Sequence, residues 1–229
     1  MKFVVLARIL ISMTVCSSAA SALAEIPSVD PRVADGRALA KEGKYTEAGD
    51  KFKDACDKKV GEGCYYLANA VRDYRYAPAT LEAHYALKEK SCSLKFARGC
   101  FSIGFDYRTG PQGLNIDKAK GNAFMEKSCQ LGWGSGCGAR AADYQYGFNE
   151  TPKDENKAFI YFKKGCDAEQ PSPEACEDLA TIYAEGIGAP KNLDLALEAI
   201  KKALGLSPDN RGMQTIARIL VAEKQKALQ

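Results

Sequence analysis

Apolar residues recur along most of this chain at the spacing of an α-helix. Four cysteines each open a stripe in which the third, fourth and seventh following positions are mostly small or apolar. Such a spacing predicts a helix with one buried face, and Arg140 is its one polar departure. The stripes are Cys64, Leu67, Ala68 and Val71; Cys100, Ile103, Gly104 and Tyr107; Cys137, Arg140, Ala141 and Tyr144; and Cys176, Leu179, Ala180 and Tyr183.

A second set of helices is predicted to end at the other four repeat cysteines. The positions eight and four before each of these cysteines are mostly small or apolar, as at Ala48 and Phe52, while His84 and Lys88 break the pattern in one copy. Loops rich in Gly, Pro and Asn, such as residues 186–190, separate the two helices of a repeat. No stretch shows the period-two alternation of a strand. The chain therefore predicts about eleven helices and no sheet.

The cysteines also give the period of the pattern. Cys56, Cys92, Cys129 and Cys166 follow one another at intervals of 36, 37 and 37 residues. A fixed period of this length is typical of a helical repeat array. We expect an all-α fold, a right-handed α/α solenoid of tandem helix-turn-helix repeats stapled by disulfides. The predicted repeats are residues 31–60, 61–96, 97–133, 134–171 and 172–208, followed by a capping helix at 209–229.

Residues 1–24 have the composition of a signal peptide. Lys2 and Arg8 give a basic start, an apolar stretch follows, and a small-x-small triplet ends at Ala24. The apolar stretch is shorter than the roughly 20 residues that cross a bilayer. We predict cleavage, a repeat domain at 25–229, a periplasmic or secreted location, and no membrane insertion afterwards. A retained N-terminal anchor and a lipoprotein attached through Cys16 are the alternatives.

The charge of the chain argues against two classes of partner. Lys2 and Arg8 account for two of the 32 basic residues, so the predicted mature chain has 30 basic residues against 29 acidic ones. Nucleic-acid-binding proteins normally carry a strong basic excess, and anionic membrane surfaces also attract basic clusters. We therefore expect no nucleic-acid partner and no binding to membranes.

Eight of the nine cysteines remain after the predicted cleavage, because Cys16 lies in the leader. An even number in an exported chain predicts disulfides. Within each pair, one cysteine ends a helix and the other opens the next, with a glycine-containing connection between them, so antiparallel packing brings the two close enough to bond. Metal binding is the alternative, but the spacing is not that of a zinc site. The predicted pairs are Cys56–Cys64, Cys92–Cys100, Cys129–Cys137 and Cys166–Cys176.

The run from Glu174 to Leu206 resembles a known repeat. It contains small-Cys-x2-Leu-Ala-x2-Tyr, a Gly-x-Gly turn at Gly186 and Gly188, and an Ala-x3-apolar-x2-Lys-Ala helix. These motifs resemble the Sel1-like repeat, a relative of the tetratricopeptide repeat, and above all its cysteine-rich bacterial branch, the Helicobacter cysteine-rich proteins. The resemblance covers about residues 35–208.

The resemblance implies a scaffold that holds another protein or a peptide on a concave surface. Members of the cysteine-rich branch have also been described as penicillin-binding proteins or weak β-lactamases, which is the alternative function. No catalytic residue carries over, because the branch offers no motif that matches here. His84 is the only histidine, and S-x-x-K is absent from residues 25–229. We predict no catalytic, cofactor-binding or metal-binding residue.

The binding hypothesis places a groove along the first helices of the repeats, on positions outside the apolar stripe. Aromatic residues and arginine are common interface anchors, and the arginines would set a preference for acidic groups. Ordinary solvated positions are the alternative interpretation. We expect Trp133 to pack at a repeat junction, and the protein to be a monomer. The predicted groove residues are Tyr66, Asn69, Arg72, Phe105, Arg108, Gln145 and Tyr146.

Overall fold

A computed structural model describes residues 30–77 and 79–228, and the predicted signal peptide lies outside them. The described residues form eleven helices and no strand, which confirms the predicted all-α solenoid of tandem hairpins. None of these helices has the length and apolar character needed to span a membrane. The helices are α1 (Pro31–Lys41), α2 (Tyr45–Asp57), α3 (Gly61–Asp73), α4 (Leu81–Ser93), α5 (Ala97–Thr109), α6 (Lys118–Gln130), α7 (Gly134–Tyr146), α8 (Glu155–Asp167), α9 (Pro173–Glu185), α10 (Leu193–Leu206) and α11 (Arg211–Ala227).

Each helix packs on the next one along the chain, so that α1–α2, α3–α4, α5–α6, α7–α8 and α9–α10 form five stacked hairpins. The odd-numbered helices also touch one another, α1 with α3, α3 with α5 and α7 with α9. Pairs of even-numbered helices make isolated contacts at most among the described residues. The odd-numbered helices therefore line the shorter, concave side of the stack.

The helix boundaries follow from short polar signals. An Asx or Thr side chain precedes each of α4, α6, α8 and α10 and accepts a hydrogen bond from a backbone N–H of the first turn, which satisfies a donor that the helix leaves free. A glycine in the left-handed conformation ends three of the odd-numbered helices, where a side chain would be strained. The caps are Thr80, Asp117, Asp154 and Asn192, and the end residues are Gly110, Gly147 and Gly186.

Four disulfides hold the hairpins together, and they join the predicted pairs. Each links the last turn of an even-numbered helix to the first turn of the next odd-numbered helix, as Cys129 on α6 bonds to Cys137 on α7. The two Cα atoms of each pair are only 4.4–4.6 Å apart. All eight sulfur-bearing residues are buried, so the staples are part of the core.

The residues that precede the two cysteines of each pair face one another across this contact. In every pair one of them is glycine and the other is small. A Cβ atom on Gly136 would lie 2.7 Å from the Cβ of Ser128, and one on Gly165 would lie 2.9 Å from the Cβ of Ala175. The close approach therefore needs a residue without a side chain on one of the two helices. The facing residues are Ala55 and Gly63, Ser91 and Gly99, Ser128 and Gly136, and Gly165 and Ala175.

The longer fourth connection, C-x9-C, pairs with the connection before it. The backbone N–H of Gly134 donates to the carbonyl of Gln170 at 2.8 Å, and the N–H of Gln170 donates to the carbonyl of Gly132 at 3.1 Å. Trp133 lies between these two bonds, at the junction of successive repeats. The two additional residues thus add a backbone link between the third and fourth connections.

Two polar residues that break the apolar pattern of α4 are buried in the stack, where one forms a hydrogen bond and the other an ion pair. The ring Nδ1 of His84 lies 2.7 Å from the carbonyl of Ala68, and burial lowers the pKa of His84, so its neutral ring donates this bond. The ammonium of Lys88 lies 2.5 Å from the carboxylate of Asp106 on α5, and both side chains are buried. A buried charge without a partner is costly, so the pair explains how Lys88 is tolerated in the core.

Replacing Gly136 with Ala tests the close contact at the staples. The new Cβ would also meet the backbone nitrogen of Cys129 at 2.9 Å, so we expect the free energy of unfolding to fall by about 1–3 kcal/mol, the usual cost of overpacking. Gly138→Ala is the matched control on the same helix. Its Cβ would meet only Ala175 at 3.5 Å, and the gain in helix propensity should stabilise by up to about 1 kcal/mol. Chemical denaturation of both variants measures the difference, and equal effects would contradict the contact.

Candidate interaction surface

The odd-numbered helices carry a row of side chains that point away from the even-numbered ones. In α5, Ile103 and Gly104 are buried against neighbouring helices, whereas Phe105 is 54% exposed. Positions two and five after each second cysteine share this direction along the helices, because three residues nearly complete one turn. We call this row the odd-helix face. Its members are Tyr66, Asn69, Ser102, Phe105, Ala139, Ala142, Asp178 and Thr181, with Tyr146 at the end of α7.

The strongest apolar feature of the face lies on α5 and α7. Phe105 and Tyr146 were predicted as anchors, and 54% and 59% of their surfaces are exposed. Phe148, in the loop after α7, is 56% exposed, and its ring centroid lies 5.4 Å from that of Tyr146. No aromatic contact among the described residues joins Phe105 to this pair. Phe148 was not predicted, because the predicted groove residues were chosen from helical register and Phe148 lies in the loop after α7.

Tyr66 is shared between the core and the surface. Its ring stacks on the buried Phe52 at a centroid distance of 5.3 Å, and the guanidinium of Arg37 lies 5.5 Å from the ring centroid on another side. Only part of the side chain therefore faces solvent. Replacing Tyr66 would disturb the packing of the first hairpin as well as the face.

Arg108 does not present the exposed charge that was predicted. Its side chain is 8% exposed, and its guanidinium lies 2.5 Å from the carboxylate of Asp143 on α7. Asp143 also accepts from Arg140 at 2.6 Å. Arg108 stands three residues after Phe105, a rotation of about 300°, so its direction lies about 60° to one side of that of Phe105. On that side the next hairpin packs, and Asp143 of α7 meets the guanidinium. The expected preference for acidic groups therefore cannot come from Arg108.

The other predicted residues at this register differ from Arg108. Arg72 is exposed, and its guanidinium binds the carboxylate of the adjacent Asp73 at 2.6 Å. Gln145 is partly buried, and its Oε1 lies inside the protein with no partner among the described residues. Asn69, which stands at the register of Phe105, is partly buried on the odd-helix face.

Positive charge on this side of the molecule comes from arginines that the sequence prediction did not include. Arg98 lies two residues before its cysteine, with its guanidinium 5.2 Å from the ring centroid of Tyr65 and 5.9 Å from that of Trp133. Arg37 lies over Tyr66 in the same half of the stack. The position two before each second cysteine gave no signal for Arg98, because the other repeats have Glu62, Ser135 and Glu174 there.

The opposite end of the stack is acidic. Glu174, Glu177 and Asp178 all lie on the first turns of α9. Burial, together with the neighbouring carboxylates of Glu177 and Glu174, raises the pKa of Asp178 to about 6. The first and third repeats thus carry arginines over aromatic rings, and the fifth repeat carries carboxylates.

Comparison with protein families identifies the repeat. The Sel1 repeat model matches residues 97–133, 139–169 and 173–198. A search of curated protein sequences gave no match. The three matched segments correspond to the hairpins from α5 to α10.

Two solved structures share the fold of the described residues, and a third is similar in sequence over part of the chain. A Sel1 repeat protein from Oxalobacter formigenes superposes with a TM-score of 0.63 at 17% identity, over 85% of this chain and 99% of that one. The Escherichia coli protein c5321, a protective antigen of uropathogenic strains with an SLR fold, gives 0.62 at 18% identity, over 76% of this chain and 37% of that one. Cysteine rich protein B of Helicobacter pylori is 26% identical over 61% of this chain and 96% of that one, with a TM-score of 0.47.

The raised pKa of Asp178 predicts a pH-dependent stability. Between pH 3.8 and about 6 the folded protein holds a proton that the unfolded chain releases, so stability falls as pH rises through this window. Asp178→Asn removes the cost of the charge. We expect it to raise the free energy of unfolding by about 1–2 kcal/mol at pH 8, allowing for the partial exposure of the site, and to leave it unchanged at pH 3.5. Urea denaturation at both pH values measures this, and a gain of equal size at pH 3.5 would refute it.

Proposed function

We propose, on the premise that this chain is built of Sel1 repeats and has their fold, that it binds an extended segment of a partner protein along the odd-helix face. Sel1 repeats are scaffolds that generally mediate protein interactions. The exposed aromatic residues Phe105, Tyr146 and Phe148 carry the proposal, because large aromatic side chains are the usual anchors of an interface. Isolated apolar side chains on a surface are common, but two exposed aromatic rings on α5 and α7, with a third in the loop after α7 that packs on Tyr146, are a stronger signal.

The dimensions of the face indicate the length of the bound segment. Neighbouring packed helices lie roughly 10 Å apart, so the four helices α3, α5, α7 and α9 span about 30 Å. An extended chain covers about 3.3 Å per residue. A segment of about nine residues would therefore reach from the end of the face that carries Arg37 and Arg98 to the carboxylates of α9.

The charges of the face indicate the polarity of that segment. Arg37 and Arg98 lie near Glu62 of α3 and together leave one net positive charge, which favours an acidic group at the end that lies over α3 and α5. The carboxylates of α9 favour a basic group at the other end. Apolar residues in the middle would meet Phe105 and Tyr146. Arg108 plays no part in this recognition, because Asp143 holds its charge inside the stack.

We also propose that the protein acts outside the cytoplasm. Four buried disulfides form and persist in an oxidising compartment, and the composition of residues 1–24 is that of a signal peptide. On this proposal the exported protein begins at Glu25, or at Leu23 if cleavage follows the earlier small-x-small triplet that ends at Ala22. N-terminal sequencing of material from the periplasm or the medium tests this, and a protein that still begins at Met1 would contradict it.

The binding test compares a protein variant altered on the odd-helix face with a control variant altered on an even-numbered helix. A library of nine-residue peptides with an acidic end, an apolar middle and a basic end supplies a fluorescent ligand. We expect Phe105→Ala combined with Tyr146→Ala to weaken its binding by more than about 2 kcal/mol, which is the size of a hot-spot loss. Ile160→Ala, on α8 and 49% exposed, should bind as the parent does.

Stability provides the internal control for that experiment. Both aromatic side chains are mostly exposed, so the free energy of unfolding of the double variant should change by no more than about 0.5 kcal/mol. Unchanged peptide binding in a folded double variant would refute the proposed face. So would a loss of equal size in Ile160→Ala.

No arrangement of described residues supports the β-lactam alternative, and a direct assay separates it from the scaffold. We expect hydrolysis of nitrocefin far slower than the roughly 10 per second of a typical enzyme, and unaffected by His84→Ala, because the His84 ring is buried against Ala68. Typical turnover, or its loss in a folded His84→Ala variant, would favour the hydrolase.

A further inference from the structure

One position differs between the first repeat junction and the other three. Tyr107, Tyr144 and Tyr183 each stand seven residues after the second cysteine, and their rings contact Phe124, Tyr161 and Phe159 on even-numbered helices. Tyr107 stacks on Phe124 with a centroid distance of 5.8 Å, and its hydroxyl donates to Glu89 on α4 at 2.6 Å. At the first junction the residue is Val71, which is smaller and has no polar atom.

An apolar crevice of about 340 Å³ lies beside Val71, between α2, α3 and α4. It is on the side of the stack formed by the even-numbered helices and is therefore separate from the odd-helix face. Pockets that bind small molecules begin at about 300 Å³ and have mostly apolar linings. The apolar lining includes Cys56, Leu67, Val71, Ala83, Ala86 and Leu87.

The mouth of this crevice carries an excess positive charge. Lys53 binds the carboxylate of Asp57 at 2.6 Å. Lys90, on the other side of the mouth, has no carboxylate within ion-pair distance among the described residues. One lysine thus remains available for an anionic group.

The last junction has a crevice in the same register, and its chemistry is different. It measures about 320 Å³, with Tyr183 at the register of Val71 and Glu198 at the register of Ala86. Lys202, the counterpart of Lys90, binds Asp167 at 3.0 Å, and Lys163 binds the same carboxylate at 2.6 Å. Both lysines of this crevice are therefore paired with Asp167, and Glu198 at the mouth balances the remaining positive charge.

We propose that the first crevice binds a medium-chain aliphatic carboxylate, with the alkyl chain along the apolar lining and the carboxylate at Lys90. The volume fits such a chain, because an apolar cavity of about 150 Å³ already accepts a ring of the size of benzene. An unpaired ammonium beside an apolar wall matches an anionic head on an apolar body. The last crevice would exclude the same ligand through Glu198.

The test is calorimetric titration with hexanoate, octanoate and decanoate. Each added methylene should tighten binding by up to about fourfold, the equivalent of about 0.8 kcal/mol. Ala86→Glu introduces the carboxylate that the last crevice has at Glu198. Residue 86 is an exposed helix position, so the variant should fold. We expect it to bind octanoate at least tenfold more weakly. Ala123→Glu is the matched control, since it makes the same change at the same register of α6, outside the crevice, and should leave binding unchanged.

Two further variants separate the apolar and the charged parts of the site. Lys90→Gln should weaken octanoate about five- to tenfold and leave octanol unaffected, because only the carboxylate needs the charge. Val71→Tyr copies the other three junctions and should weaken both ligands. The methyl NMR signals of Leu67 and Leu87 should shift on titration in the parent protein.

Four results would overturn the proposal. They are affinity that does not change with chain length, octylammonium binding as tightly as octanoate, equal effects of Ala86→Glu and Ala123→Glu, and folded Val71→Tyr that binds as the parent does. A concentration-dependent dimer that Val71→Tyr abolishes would also overturn it, because a second copy of the chain would then be the occupant.

Discussion

The architecture depends on the close contact between each even-numbered helix and the next odd-numbered one. At this contact two Cα atoms lie 4.4–4.6 Å apart across a disulfide, and one of the two preceding residues has no side chain. The bond and the glycine act together, since the helices cannot approach so closely with two ordinary side chains between them. The contact recurs at every junction down to α9 and sets how each hairpin stacks on the one before it. As a consequence the odd-numbered helices lie along one side of the stack.

Most of this fold could be predicted from the sequence, because its main determinants are periodic. The cysteine spacing and the apolar stripes gave the helices and the four bonded pairs. What periodicity does not give is the partner that a neighbouring repeat supplies. Arg108 lies outside the apolar stripe, so it was predicted to be exposed. Its side chain is buried because its guanidinium pairs with the carboxylate of Asp143 on the next odd-numbered helix. The same reasoning missed Phe148 in a loop, and Arg98, which lies at a register position where the other repeats have no arginine.

The two sides of the stack present different chemistry. The odd-helix face has exposed aromatic rings in the middle, arginines at one end and carboxylates at the other. The even-numbered helices have crevices at the first and the last junction, and these two crevices differ at the registers of Val71 and Ala86, where the last one has Tyr183 and Glu198. Variation at a few positions of a fixed repeat thus gives each junction its own surface, while the staples and their glycines keep the geometry constant.

The most direct test of binding along the concave side is site-specific photo-crosslinking. A benzophenone side chain replaces Phe105 on the odd-helix face in one sample and Ile160 on α8 in another, and both positions are about half exposed. Crosslinking in the compartment where the protein functions, followed by mass spectrometry, then identifies the contacted proteins. We expect one partner to be trapped reproducibly from position 105, through a segment of about nine residues, and not from position 160. The same partner trapped with equal yield from both positions, or from position 160 alone, would contradict the account.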